Sequence, residues 1–567
     1  MNSPIDGLII SHVGSAPLIA NLCDELDVSD IIDRIVRWDP KQCRTSPGTL
    51  IKGLVVNVLS GRKALYRVEK YFAEQDMELL FGSGIEADAF NDDALGRALD
   101  KVAEANPKQI YGNIVLSAVT KHEIRFASVH ADTTSKSVYG AYENSEQSEE
   151  EDNLFITHGY SKDHRPDLKQ FMYGLITNNE GIPLYGELRD GNSSDKTWNN
   201  EVLKKLHKIL PKIGADSIYI ADSALVSKDN LSVLQDQNIR FISRLPETFG
   251  MAEEVKRWAW ETRRWITLGA ISQKKNAAQY QAQSTIRELD GQRYRFITFH
   301  SSNLDARKEK TITRRIEKER EQLDKDCREL GKRVFYCKAD AQKEWQLFLK
   351  ERSNILHDLT SNIREETTAK RKAGRPKANS QPDTETTYRL EAEVKPPSEE
   401  LIAALRAKAS TFILMTNILA EQELTALDIL KEYKEQTSVE VRFRFLKDPT
   451  FIDGIYVKNP ARVMALGYIF LMALLIFSLL ERRVRKNLKK ENEILIIPGN
   501  KKSDSPTGSM ILAMLSSLHV ARVILDNMIV RKLPKNLIDN QIRRLLVFAG
   551  FDETIYVEPK KSGRIST

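Results

Sequence analysis

Val463 to Leu480 reads VMALGYIFLMALLIFSLL, a run without a single charge, followed at once by ERRVRKNLKK. Such a segment has two physical solutions: it crosses a membrane, or it is buried on every side in a core large enough to surround it. Its length and basic flank meet the minimum for a span. At 567 residues and 41% hydrophobic content, however, the chain can build several cores of its own. The run is therefore read as a helix buried against a central sheet, and no membrane partner is expected. The first residues, MNSPIDGLII, lack the basic start and apolar centre of an export signal. Cys23, Cys43, Cys327 and Cys337 show no C-x-x-C spacing and no histidine at zinc spacing, so they read as free thiols of a reduced, cytoplasmic protein.

Upstream of that run, YKEQTSVEVRFRFLK aligns chemistry on one helix. At 100° per residue, Tyr433, Gln436, Glu440, Arg444 and Lys447 fall within an arc of roughly 80°. One face thus offers an acid, a phenol and two cations, while Val439, Phe443 and Leu446 flank it. Two aspartates add to this. Asp132 sits in the second half of a strand predicted over Phe126–Thr134, and a buried carboxylate is costly unless a cation or hydrogen bonds hold it. Asp222 ends a short apolar strand, Ile218–Ala221, where loops of an α/β sheet converge. For either aspartate alone, a turn former or helix cap is the favoured reading; the three acids together with the basic helix tip the balance.

Together these residues resemble the DDE transposases of bacterial insertion sequences, in the branch marked by Y-x2-R-x3-E-x6-K. The pattern is met by Tyr433, Glu440 and Lys447, with Gln436 where arginine is expected. HADTTS around Asp132, GYSKDHRPDLKQ from Gly159 to Gln170, DGNSSD from Asp190 to Asp195 and IADSALVS around Asp222 are similar to that family's blocks, in the same order. TSPGTLIKGLVVNVL and FNDDALGRALD resemble the leading domain of one subgroup. The resemblance implies an RNase H-like mixed sheet with helices on both faces. It implies Asp132, Asp222 and Glu440 as ligands of two Mg2+ ions, with Mn2+ as substitute, and Tyr433 and Lys447 as groups that position DNA phosphates. Gln436, Arg444, Lys162 and Arg165 join them as DNA-binding candidates; Arg442 is a second nearby cation. Gln436 can hydrogen-bond a phosphate but lacks the charge and fork of arginine.

The chemistry suits that ligand set. In-line cleavage of a phosphodiester needs one oxygen activated and another stabilised, which two divalent ions about 4 Å apart achieve with carboxylates alone. Magnesium keeps waters and shares its shell with substrate phosphate, so such a site is sparse without DNA. Glu187, Asp190 and Asp195 are each open as a fourth ligand. The resemblance further implies double-stranded DNA partners, namely terminal inverted repeats and target DNA, and a homodimer that pairs two ends. An RNase H-like nuclease without strand transfer and a domesticated DNA-binding protein are the alternatives. The net charge of +6, from 85 basic and 79 acidic residues, is compatible with DNA but does not establish it.

Five regions follow from the patterning. Residues 1–118 read as an all-helical domain for DNA ends, with NDDALGRALDKVAEA either a recognition helix presenting Arg97 and Lys101 or a helix packing on Leu95, Leu99 and Val102. Residues 119–246 and 408–485 form the α/β core, with strands over Phe126–Thr134, Tyr173–Thr177, Pro183–Leu188, Ile218–Ala221 and Arg240–Leu245. Between them, 247–407 is an insertion: strand-like text with Trp258, Trp260 and Trp265, a strand through Tyr294–Thr298, then a charged helix or hairpin over Arg307–Arg333. Its tryptophans read as β-core residues or as base-stacking groups. AKRKAGRPKANSQP, Ala369 to Pro382, is a basic loop whose Gly374-Arg375-Pro376 centre resembles an AT-hook. Residues 486–567 read as a helical tail, with ILAMLSSLHVARVIL offering an apolar face for self-association or for closing the fold.

Overall fold

Strands rich in β-branched and aromatic residues build the sheet that carries the acids. The computed structural model describes residues 7–142, 154–210, 213–214, 216–272, 276–303, 306–369, 384–449, 451, 457–525, 528–534 and 539–560. The chain forms two compact units, one of 1–244 with 416–567 and one of 245–415.

In the first unit, five strands run Ser128–Ser137, Gln170–Asn178, Pro183–Arg189, Ile218–Ala221 and Arg240–Arg244. Numbered first to fifth along the chain, they lie in the order third, second, first, fourth, fifth. The first three form an antiparallel meander, whereas the fourth runs parallel to the first and the fifth parallel to the fourth. The sheet is thus mixed. Its second strand is buried along all nine residues, as a strand covered on both faces must be.

Two helices provide that cover, and small residues let them approach. The helix Asp195–Ile209 lays Trp198 on Gly174, where an added Cβ would stand 2.4 Å from the indole ring. The indole Nε1 donates to Glu187 Oε1 at 2.7 Å, which satisfies a buried carboxylate. On the opposite face lies Pro460–Glu491, which contains the uncharged run. Of its most apolar stretch, 94% is buried inside the protein. It is the one helix among the described residues long and apolar enough to cross a membrane, and packing on the sheet explains its composition. Gly467 meets Leu188, Gly186 meets Leu471, and Tyr173 donates to the Gly467 carbonyl at 3.3 Å.

Two helical expectations need correction. Residues 7–12 form a strand, Gly7–His12, antiparallel to His519–Leu525, so the N-terminal region is not all helical. The C-terminal tail is not all helical either: after the helix Gly508–Leu515, His519–Leu525 pairs with Met528–Lys532. HVARVIL is rich in β-branched residues, and its pairing partners outweigh the helical periodicity of the preceding text. The helix Asp92–Glu104 is capped by Asn91 and buries Leu95, Leu99 and Val102, and its Asp100 binds Arg462 through two hydrogen bonds of 2.6 and 2.7 Å. Arg97 is exposed, while Lys101 donates to the Arg37 carbonyl.

The second unit contains an antiparallel run of Ile266–Ala270, Gln279–Leu289 and Gln292–Ser301 and a long hairpin, Asp358–Ala369 with Thr384–Lys395. Charged Ala306–Lys332 is one continuous helix that packs Leu323, Cys327 and Leu330 with Leu390 and Val394 of the hairpin. Trp258 and Trp260 lie on a helix, Gly250–Thr262, and not on a strand, because buried Ala252, Val255 and Ala259 recur at helical spacing. Trp260, Trp265 and His300 form a ring cluster with centroids 5.2 to 6.1 Å apart. The AT-hook-like centre falls outside the described residues.

Gly174→Ala should drive the methyl into the Trp198 ring. We expect a loss of about 1–3 kcal/mol in urea unfolding; unchanged stability would mean that the helix does not rest on this strand.

Candidate active site

Register places the charges. Along the three parallel strands, Val129, Tyr219 and Phe241 are level, then His130, Ile220 and Ile242, then Ala131, Ala221 and Ser243. The next residue on each is Asp132, Asp222 and Arg244. Neighbouring strands lie about 4.8 Å apart, so the two aspartates are side by side at the rim and Arg244 is next in line. Each aspartate is held by its own backbone. Asp132 Oδ1 accepts from the Thr133 amide at 2.7 Å, and Asp222 Oδ1 accepts from the Ala224 amide at 3.0 Å, capping a short turn. Ser243 donates to the Asp222 carbonyl at 2.7 Å, which fixes the strand end.

The pair is electrostatically strained. Burial pushes the Asp132 carboxyl up to about 7; Lys162 works against this, whereas Asp222 and Asp195 add to it. Burial likewise raises Asp222, helped by Asp195 and opposed by the Ala224 amide and Lys162. Burial lifts the Tyr433 phenol to about 12, and Asp222, Asp132 and Glu440 push the same way against Arg244. All three acids therefore act on one phenol, which stays protonated at neutral pH and can donate a hydrogen bond.

The expected single helix is two. Ala426–Lys434 ends at Glu435, and Thr437–Lys447 begins after Gln436. At the junction, amides reach back three residues, from Gln436 to Tyr433, Ser438 to Glu435 and Val439 to Gln436, which tightens the turn. Tyr433 and Glu440 thus come from consecutive helices. The second is pinned by Arg442, whose guanidinium is buried, donating to the Gly181 carbonyl at 2.7 Å and to Glu481 at 3.0 Å. Gly181 has a φ of +74°, which the turn between the second and third strands requires. Arg442 is thereby committed to the core and is not a DNA-binding cation. Glu440 and Arg444 are exposed.

Other candidate groups are already engaged. Lys162 donates to Asp195 Oδ2 at 3.0 Å and to the Thr133 carbonyl at 2.8 Å, and Thr133 Oγ1 donates to Asp195. Lys447 pairs with Asp163 at 2.6 Å, and Arg165 pairs with Asp167 at 2.7 Å. Of the three further carboxylates, Asp195 is the one that acts on both Asp132 and Asp222. Glu187 is occupied by Trp198, Tyr185 and Lys108, and Asp190 accepts from the Phe155 amide. Arg244, level with the aspartates and acting on Tyr433, is a neighbour that sequence reading missed. Its signal is the matched tetrads VHAD, YIAD and FISR, each ending in a charge at one level of the sheet.

An all-oxygen donor set on a strained carboxylate pair fits magnesium or manganese. The group whose ligand atoms all converge within 4.8 Å, among the described residues, is another one: His130, Glu432 and Glu435. Asp132, Asp222 and Glu440 are set more openly.

Residues 8–116 match a family model described as a domain of unknown function, DUF4277. No curated protein sequence is significantly similar. Among solved structures, the Mos1 transposase paired-end complex with left transposon end is similar at 14% identity and a TM-score of 0.15, over 31% of this chain. The match covers 64% of that chain, less than two thirds of its length. A likeness of that size carries neither fold nor activity across.

The strained pair gives a pH dependence. Folding raises the Asp132 pKa from its ordinary 3.8 to about 7, so ionising it costs the folded state. Stability is lost as pH rises through that window and stays lost above it. Without divalent ions, Asp132→Asn should gain on the unsubstituted protein between pH 5 and pH 8, by about 2–3 kcal/mol. Thermal unfolding at the two pH values checks this, and a pH-independent difference would contradict it.

Proposed function

We propose that this chain is a DNA transposase of the DDE type, which nicks the ends of its own element and joins the freed 3′-hydroxyls to target DNA. The observation that carries the reading is the level placement of Asp132 and Asp222 on adjacent parallel strands, with the Glu440 helix acting on the same phenol. The strand order third, second, first, fourth, fifth, with an antiparallel meander followed by parallel strands, is that of an RNase H-like fold and supports it. So do the ordered blocks around Asp132, Gly159–Gln170, Asp190–Asp195 and Asp222.

In this reading Asp132, Asp222 and Glu440 hold two magnesium ions. When bound, these supply activation of the attacking oxygen and stabilisation of the leaving oxygen. The chain's own residues handle the DNA. Protonated Tyr433 donates to a phosphate oxygen, and Arg244, level with the aspartates, offsets phosphate charge. Gln436, at the helix junction, contributes a neutral donor. Lys447 and Lys162 reach DNA only by leaving Asp163 and Asp195, so their ion pairs are exchanged for phosphate contacts on binding. Arg444 is exposed and free to follow the backbone of the duplex. Water serves as nucleophile in the first step and a DNA 3′-hydroxyl in the second. A homodimer would present two such sites to two ends.

The test is cleavage and joining of a labelled duplex carrying the flanking element's end, with Mg2+ or Mn2+. Unsubstituted protein should release a 3′-hydroxyl and join it to a second duplex. Glu440→Gln should bind normally but lose at least about 100-fold in both steps. Gln436→Arg should tighten end binding and raise the cleavage rate. Cutting without joining would favour a nuclease, and binding without cutting by either form would leave a DNA-binding protein.

A further inference from the structure

The convergent group of His130, Glu432 and Glu435 is distinct from the three acids and plays no part in the proposed chemistry. His130 lies two residues before Asp132 on the first strand, so it projects from the same face. It is completely buried, and neither ring nitrogen has a hydrogen-bond partner. Glu432 is on the helix Ala426–Lys434, and one of its carboxylate oxygens is likewise buried without a partner. Glu435 is the last residue of that helix turn, and burial together with Glu432 raises its pKa. Each residue brings one ligand atom, and the three atoms lie within 4.8 Å of one another.

Such an arrangement is expensive if nothing occupies it. A buried polar atom without a partner costs about 1–3 kcal/mol, and here an imidazole with two bare nitrogens faces two carboxylates that repel each other. The Thr177 hydroxyl, on the residue that pairs with His130 across the sheet, and the Ser438 hydroxyl are also buried and unpartnered. No hydrogen bond between the imidazole and either carboxylate relieves them. Three atoms at that spacing lie at most about 2.8 Å from their common centre, within an ångström of zinc–nitrogen and zinc–oxygen bonds of about 2.0–2.2 Å. Side-chain adjustment closes that gap. Glu435 and Ser438 also line a cavity of about 830 Å3, and Glu435 itself is exposed.

We propose that His130, Glu432 and Glu435 form a second divalent-metal site, with one imidazole and two carboxylates for zinc or a similar first-row ion. One nitrogen and two oxygens with a fourth position left for water is a zinc-type donor set, softer than the all-oxygen set of Asp132, Asp222 and Glu440. Its role is positional. The ion ties the strand that carries Asp132 to the junction between the Tyr433 helix and the Glu440 helix. It fixes the distance between the acids without touching DNA.

The test uses the full chain, stripped of metal by chelation, with ZnCl2 alone as probe. Isothermal titration and thermal unfolding give stoichiometry and stabilisation, and Co2+ in place of Zn2+ reports the ligand set by its visible absorption. The expected result is one tight zinc per chain, a rise in Tm and a four-coordinate cobalt spectrum. All three should survive in an Asp132→Asn/Glu440→Gln variant and be lost in Glu435→Gln, at least 10-fold in affinity. Glu435 is exposed, so that variant should fold even if His130→Ala does not. Zinc binding that disappears with Asp132 and Glu440 but persists in Glu435→Gln would overturn the proposal, as would no zinc binding at all, which would leave buried water as the occupant. Neither result would bear on whether the three acids cut DNA.

Discussion

Asp132 and Asp222 stand side by side on adjacent parallel strands, withdrawn from water, and the first unit has to hold that costly pair in place. A half-buried carboxylate pair is unfavourable in proportion to its desolvation. The fold holds it because each aspartate is anchored by a backbone amide and because the register of the sheet leaves no freedom to slide. A one-residue slip would turn every side chain to the opposite face, including the nine buried residues of the second strand. Fully buried Tyr173 and Tyr219 and the apolar helix behind the sheet make such a slip prohibitive. Hydrophobic packing is thus what keeps like charges together.

The two faces of the sheet then divide the work. On one, Trp198 over Gly174 seats the helix that begins at Asp195, and Asp195 holds Lys162 against Thr133. On the other, Arg442 anchors the Glu440 helix to the Gly181 turn and to Glu481 of the long apolar helix. Glu481 in turn accepts from the Gly508 amide at 2.8 Å. A single buried ion pair therefore connects the hairpin, the acid-bearing helix and the core helix. Glu481 pairs with Arg485 as well, at 2.9 Å, so it is loss of Glu481 that would leave the buried Arg442 charge without its counter-ion, at about 3–5 kcal/mol. Arg442, which in sequence looks like a DNA-binding cation beside Arg444, is held in the core by this pair and by the Gly181 carbonyl.

Much of this was readable in the chain. Ile218–Ala221 and the other four core strands announce themselves by β-branched and aromatic content, and the buried helix by its uncharged run. What escaped depends on non-local pairing. Nothing local in HVARVIL says that it pairs with GLIISH some 500 residues away, so a strand was read as helix. Tyr433 and Glu440 keep helical spacing across a junction whose backbone remains near the helical region, which hides the break. Arg244 and His130 matter only once the three tetrads are aligned, because their neighbours lie on other strands and helices. Asp195 was one of three open choices, and only its place in the folded chain shows that its charge acts on both Asp132 and Asp222.

The central claim is that the paired aspartates exist to hold divalent ions. Anomalous scattering from crystals soaked in Mn2+ addresses it directly. The account predicts a peak within bonding distance of both the Asp132 and Asp222 carboxylates, on the side facing the Glu440 helix, and its loss in Asp222→Asn. Full soaking with no density between the two aspartates, or manganese bound there unchanged in Asp222→Asn, would contradict it.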